Sequence, residues 1–201
     1  REVWKKKVLK EARKVDNPFD PYAENPFTMP PGRKVTEEDI CVADVVIYVV
    51  SRISGEGKDR RKVKGDYYLS EREEEDLRYL AERNKPVILI LNAGGPVELT
   101  DILEQTGNIK GILHISQLGQ EGGNALADVL LGKEVPSGKL TTSWARRYED
   151  YPASEEYGYL NGNLEKEKYK EGIYVGYRYF DSFDKKVMFP FGFGLSYTMF
   201  E

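Results

Sequence analysis

A carboxylate between two glycines, Glu56 flanked by Gly55 and Gly57, is the strongest candidate for chemistry in this 201-residue sequence. It follows a run of β-branched residues, and glycine adopts backbone conformations closed to other residues, so the loop can hold the carboxylate outward. Nearby cations would lower the pKa of this carboxyl group, whereas desolvation by a ligand would raise it. A protonated carboxyl that donates to a leaving oxygen is what cleavage of a glycosidic bond needs. The basic neighbours are Arg52, Lys58, Arg60 and Arg61. On residue types alone, a solvated charged loop is the favoured interpretation.

The other polar segments give weaker signals. The glycines around Glu56 match neither G-x-x-x-x-G-K-[ST] nor a G-x-G-x-x-G that leads into a helix, so a nucleotide site is a weak alternative. His114 lies in an apolar run and is predicted to be a buried, hydrogen-bonded core residue. Glu121 begins a predicted helix and suits the positive end of its dipole. The sequence has one histidine and one cysteine, which leaves no plausible zinc cluster. Neither a metal nor a cofactor is predicted.

Strands alternate with helices along the middle of the chain. The apolar run 43–50 predicts a strand buried on both faces, and 86–91, 109–115 and 139–144 predict three more. Ser70, with Glu73 three residues later, predicts a capping box for a helix whose inner face includes Leu77 and Leu80. Further helices are predicted over 97–104, with Pro96 as an early position, and over 119–131, with Gly132 after its end. An amphipathic helix is predicted over 1–15.

This alternation predicts an α/β fold: an open, doubly wound, mostly parallel sheet with helices on both faces. Ligands bind such sheets at the carboxyl ends of the strands, which are the loops 51–65, 92–96 and 116–121. After residue 145 the pattern becomes polar and then aromatic and glycine-rich. We therefore predict one sandwich domain over 1–201, with 146–201 an irregular, extended segment packed on it.

Composition excludes several classes of function. A net charge of −4 gives no basic excess for nucleic acid. The longest apolar stretch, 42–50, is far too short to cross a bilayer, so no membrane partner is predicted. Cys41 cannot form an intrachain disulfide and is predicted to be a buried, inert thiol. Because nothing implies an oxidising compartment, the lone cysteine favours the cytoplasm.

Five motifs, in order from about residue 41 to the end, resemble the C-terminal-type α/β domain of family 3 glycoside hydrolases, the group of many β-glucosidases. They are Ser54-Gly55-Glu56-Gly57 with Asp59-Arg60 and Gly65-Asp66-Tyr67-Tyr68-Leu69; Leu91-Asn92-Ala93-Gly94-Gly95-Pro96; the stretch from Gly119-Gln120-Glu121-Gly122-Gly123 to Pro136-Ser137-Gly138-Lys139-Leu140; Glu171-Gly172-Ile173-Tyr174-Val175-Gly176-Tyr177-Arg178-Tyr179-Phe180-Asp181; and Phe191-Gly192-Phe193-Gly194-Leu195-Ser196-Tyr197.

The resemblance implies a retaining β-glycosidase in which Glu56 protonates the leaving group and then activates water. Four neighbours would bind substrate or support the loop: Arg52, Ser54, Asp59 and Arg60. The family's nucleophile is an aspartate on a (β/α)8 barrel of about 250 residues. None of this chain reads as such a barrel. The implied partners are a β-linked oligosaccharide or glycoside, that barrel and, in some domain orders, a fibronectin-like domain. We therefore expect the isolated chain to be inactive. The alternative is a non-catalytic, flavodoxin-like module that binds a ligand or protein.

Overall fold

The computed structural model describes residues 32–53, 60–156 and 168–199. The chain divides into two compact units. The first comprises Arg1–Val97 and Asp101–Gln117, and the second comprises Glu98–Thr100 and Leu118–Glu201. The predicted helix over 1–15 lies outside the described residues.

A parallel sheet forms the centre of the first unit. Its strands are β1 (Val46–Ser51), β2 (Val87–Asn92) and β3 (Ile109–His114), in the order β1-β2-β3. Both pairings are parallel. Helices stand before and between the strands: α1 (Glu37–Ile40), α2 (Glu71–Glu82) and α3 (Thr100–Gln105). The fold is therefore α/β, as the alternation of apolar runs predicts.

Burial differs between the strands of this sheet. β2 is central and its Val87, Leu89, Ile90 and Leu91 are fully buried. β1 alternates, and on one face Ile47 and Val49 are 50 and 52% exposed, as is Val45 just before the strand, at 45%. The prediction that this run is buried on both faces is therefore wrong. In the sheet that the structure describes, β1 is an edge strand, and its second face lacks a complete cover.

Helix α2 begins with the predicted capping box, which is confirmed. The Glu73 amide donates to Ser70 Oγ (3.2 Å), and the Ser70 amide donates to Glu73 Oε2 (2.7 Å). Each bond satisfies an amide that the first helical turn leaves free. Leu77 and Leu80 are fully buried, so the helix presents the predicted inner face.

Asp76 is a buried acid on the inner side of α2 and is only 2% exposed. Its carboxylate accepts hydrogen bonds from the Val35 amide and from the Tyr48 hydroxyl, each at 3.1 Å. It thereby joins α2 to β1 and to the segment before α1. Burial, reinforced by the negative charge of Asp76, raises the pKa of the Tyr48 phenol above its usual range.

The second unit contains α4 (Gly122–Leu130), a 3-10 helix (Tyr148–Asp150) and α5 (Tyr177–Ser182). Gly132 follows α4 with a φ of 70°, the left-handed conformation expected after a helix end. Strands β4 (Trp144–Ala145) and β5 (Val187–Phe189) pair antiparallel. The aromatic C-terminal region thus contains a short helix and strand among its turns.

Three sequence predictions are wrong here. The strand predicted over 139–144 is reduced to β4, and its partner is β5 rather than a strand of the parallel sheet. Pro96 lies outside α3, which begins at Thr100. Cys41 is exposed, because the neighbouring Ile40 takes the buried side of α1. Within the described ranges, no helix is long and apolar enough to cross a membrane.

Candidate functional site

The carboxyl ends of the three parallel strands lie side by side, as expected for a ligand site in this class of fold. Asn92 Nδ2 donates to Ser51 Oγ at 3.4 Å, and the Arg52 amide donates to the Asn92 carbonyl at 3.0 Å. His114 Nε2 is hydrogen-bonded to the Ala93 carbonyl at 2.9 Å. The predicted hydrogen bond of this histidine is confirmed, although the residue is half-buried rather than buried.

The predicted acid/base Glu56 lies outside the described residues, as do Ser54 and Asp59. The two arginines predicted to accompany them, Arg52 and Arg60, lie on either side of segment 54–59 in the sequence. Both are described, and each makes several hydrogen bonds.

Arg52 is a buried arginine whose hydrogen-bonding capacity is fully used. Nη1 and Nη2 donate to the two carboxylate oxygens of Glu73, at 2.8 and 2.7 Å. Three carbonyls take the remaining donors: Asp66 at 2.6 Å from Nε, Ser51 at 2.8 Å from Nη1 and Tyr68 at 3.1 Å from Nη2. A guanidinium has five N–H donors, so none remains for a ligand. Arg52 thereby joins the end of β1 to Asp66, Tyr68 and the first turn of α2.

Arg60 connects the loop to the end of β2. Its Nη1 donates to the Pro96 carbonyl at 2.6 Å, and its Nε donates to Asp66 Oδ1 at 3.2 Å. Nη2 donates to the Asp66 carbonyl, and the guanidinium carbon lies 5.8 Å from the centre of the Tyr67 ring. Burial, only partly offset by the hydrogen bond and charge of Asp66, lowers the pKa of the Arg60 guanidinium. The residue remains a cation. Its guanidinium is positioned by Asp66, the Pro96 carbonyl and the Tyr67 ring.

Asp66 and Glu73 are the residues that sequence reasoning missed. Asp66 receives both arginines: its carbonyl accepts from Arg52 and Arg60, and its carboxylate accepts from Arg60 and from the Arg61 amide (2.8 Å). Glu73 was predicted only as a helix cap. The available signal was the position of Asp66 in the Gly65-Asp66-Tyr67-Tyr68-Leu69 motif of the family resemblance, but nothing in the spacing pairs it with an arginine.

The charges of this cluster are largely matched. Each of its two described carboxylates binds an arginine, so neither is placed to transfer a proton to a ligand. No group of three or more metal-binding side chains occurs in the described part of the chain. Glu121 lies just before α4, is exposed and accepts a hydrogen bond from Asn124 Nδ2, which suits the predicted structural role.

Comparison with known proteins identifies relatives over most of the chain. Residues 11–177 match the family model described as the glycosyl hydrolase family 3 C-terminal domain. β-Glucosidase A of Butyrivibrio fibrisolvens is 39% identical over 183 residues, which cover 79% of this chain and 22% of that protein. A β-glucosidase of Ruminococcus albus is 37% identical over 160 residues, covering 79% and 16% respectively.

Solved structures of β-glucosidases also superpose on this chain. β-Glucosidase 3B of Thermotoga neapolitana, in complex with glycerol, superposes with a TM-score of 0.74 and 39% identity; the match covers 99% of this chain and 28% of that one. A β-glucosidase of Paenibacillus barengoltzii gives a TM-score of 0.76 and 33% identity over 99% and 22%. The present chain thus spans between 16 and 28% of the length of each of these four proteins.

Proposed function

This chain belongs to the C-terminal domain family of the family 3 glycosyl hydrolases, and from that premise we propose that it is the α/β part of a retaining β-glycosidase acting on terminal β-linked sugars. The observation that carries the proposal is the family match over residues 11–177. Because the chain spans 22% of β-glucosidase A of Butyrivibrio fibrisolvens, it would act within a longer polypeptide.

Glu56 is the proposed general acid/base. In the first half-reaction its carboxyl donates a proton to the glycosidic oxygen as the bond from that oxygen to the anomeric carbon breaks. An aspartate carboxylate from the proposed barrel bonds to the same carbon and forms a glycosyl-enzyme. In the second half-reaction the Glu56 carboxylate takes a proton from water while the water oxygen displaces the aspartate, which returns both groups to their starting states.

One feature of the described residues supports this assignment. The carboxylates of Asp66 and Glu73 are bound to arginines, so they do not compete with Glu56 for the role. Arg52 has no donor to spare for a sugar, which leaves it a supporting role. Ser54 and Asp59 remain proposed as loop-supporting or substrate-binding residues. The isolated chain is expected to hydrolyse little or nothing, because the nucleophile would be missing.

The test uses the full-length polypeptide, as wild type and as Glu56→Ala, with aryl β-glucosides of good and poor leaving-group ability. Loss of the acid should lower kcat/KM about 10²- to 10⁴-fold for poor leaving groups and much less for 2,4-dinitrophenolate. Added azide should restore turnover and yield the β-glucosyl azide, since this anion needs no general base. Glu121→Ala, an exposed carboxylate of the same domain, serves as the matched control and should behave like wild type.

The opposite outcome is equally clear. If Glu56→Ala retains normal kinetics on every substrate and forms no glucosyl azide, the acid/base assignment is wrong. The domain would then bind a ligand or protein, or shape the site, without reacting.

A further inference from the structure

Two arginines bracket the segment that carries Glu56, and each is held by an acid that lies later in the chain. Arg52 precedes residues 54–59 and pairs with Glu73, whereas Arg60 follows them and pairs with Asp66. We call these four residues the double clamp. They come from the end of β1, the loop after it and the first turn of α2, so tertiary folding brings them together.

The first half of the double clamp is tied to a helix. The Glu73 Oε2 atom that accepts from Arg52 Nη2 also accepts from the Ser70 amide, both at 2.7 Å. The side chains of Arg52 and Glu73 are only 4 and 15% exposed. A buried, two-pronged pair of this kind has one preferred geometry, because guanidinium and carboxylate match in a plane. The position of Arg52 therefore follows the N-terminus of α2.

The second half shares an anchor with the first. The Asp66 carbonyl oxygen accepts from Arg52 Nε and from Arg60 Nη2. Side chains from both flanks of segment 54–59 thus converge on one atom. Arg60 is fixed further by the carbonyl of Pro96 at 2.6 Å, which follows β2. Fixing the two ends of a short chain segment reduces the number of conformations open to it.

From this arrangement we propose that Glu73 and Asp66 are positioning residues for the acid/base reaction: through Arg52 and Arg60 they fix the chain on both sides of segment 54–59. The inference rests on the proposed function of Glu56. Neither acid needs to touch substrate. Their effect is on where the reacting carboxyl stands, and misplacement of about 1 Å can cost a hundredfold in rate.

Glu73→Gln is the most informative variant. Glutamine serves as well as glutamate in a capping box, so α2 keeps its cap while the charged pair with Arg52 is lost. Arg52→Lys keeps the charge but loses the two-pronged geometry. Glu74→Gln is the matched control, since Glu74 is the next residue of α2 and makes only peripheral pairs with Lys64 and Arg78.

The measurement is kcat and KM of the full-length polypeptide on a series of aryl β-glucosides, with a pH–rate profile for one substrate. For Glu73→Gln we expect kcat/KM to fall at least tenfold for aryl β-glucosides with poor leaving groups. For the 2,4-dinitrophenyl β-glucoside we expect a fall of less than threefold. We also expect a displaced alkaline limb and partial rescue by azide. Glu74→Gln should match wild type. Arg52→Lys combined with Glu73→Gln should lose little more than the worse single variant, because both disrupt one interaction.

The outcomes separate this inference from the proposed function. Equal losses on all leaving groups, or a lowered melting temperature with an unchanged pH profile, would show that the double clamp serves folding alone and overturn the inference. Glu56→Ala is measured in parallel. If only Glu56→Ala shows leaving-group dependence, the inference fails and the proposed function stands, and if neither does, both fail. Should Glu73→Gln not fold, Asp66→Asn carries the same test from the other side of the segment.

Discussion

Replacing Asp76 by alanine should destabilise the first unit strongly, although the residue lies on a helix and carries a charge. The carboxylate is buried and accepts two hydrogen bonds at 3.1 Å, from the Val35 amide and the Tyr48 hydroxyl. Removing it leaves two partly buried donors without their acceptor. Hydrogen bonds to a charged group contribute about 1.5 kcal/mol or more each, so the expected loss is about 3 kcal/mol.

Native-state hydrogen exchange of the β2 amides measures this loss within the first unit. β2 is the central strand of its sheet, so its most protected amides open only when the unit unfolds. A loss of about 3 kcal/mol should speed their exchange roughly a hundredfold. Tyr48→Phe removes one of the two bonds and should give a smaller increase, about tenfold.

Glu75→Ala provides the control. Glu75 is the adjacent acid on the same helix, but its side chain is 57% exposed and pairs with Arg72 of the same helix. Its loss should change β2 exchange by less than about fivefold, as for other exposed ion pairs. If Asp76→Ala and Glu75→Ala behave alike, the buried hydrogen bonds of Asp76 do not hold α2 to β1.

Three further predictions concern stability. Because the pKa of the Tyr48 phenol is raised in the folded state, its stabilising contribution is complete below about pH 10 and lost as pH rises further. In urea titrations the stability difference between wild type and Tyr48→Phe should therefore narrow as pH rises above about 10, whereas a constant difference would contradict this. Leu89→Ala should lower the free energy of unfolding by about 2–5 kcal/mol in urea titrations, because Leu89 is fully buried. Ile47→Ala, on the exposed face of β1, should lower it by less than about 1 kcal/mol. Equal losses for the two variants would refute the burial argument. Gly194→Ala should lower the free energy of unfolding by about 1–3 kcal/mol, because the added Cβ would overlap the carbonyl oxygen of Gly138. Gly138→Ala should be tolerated, because its added Cβ meets no neighbouring atom. Similar melting temperatures for the two variants would count against the packing described.

Local rules predict the elements of the first unit well. The capping box of Ser70 and Glu73 depends on a three-residue spacing, and β2 and β3 are marked by continuous apolar runs. Both patterns are local in the sequence and can be recognised without the structure. The double clamp is different. Arg52 and Glu73 are 21 positions apart, and no periodicity connects an arginine after a strand with an acid that also caps a helix. Sequence reasoning placed Arg52 near the site but could not name what holds it.

The errors have the same origin. The predicted fourth strand has suitable β-forming residues, but its partner lies more than forty positions later, in β5, and only Trp144 and Ala145 reach it. Cys41 follows an apolar residue at a helix end, where a one-residue change of position turns the side chain from the core to solvent. Glu56 remains a prediction, supported by a family resemblance and by its described neighbours.

The open face of β1 has a consequence for the behaviour of this chain on its own. Ile47 and Val49, together with Val45 just before the strand, give an edge strand of the described sheet an exposed row of β-branched side chains. An edge strand with an apolar surface can act as a template for another copy of the same strand. We therefore expect the chain expressed alone to self-associate as its concentration rises. A lysine at position 47 should suppress that association without affecting the core, since charge on an edge strand is how natural sheets stay apart.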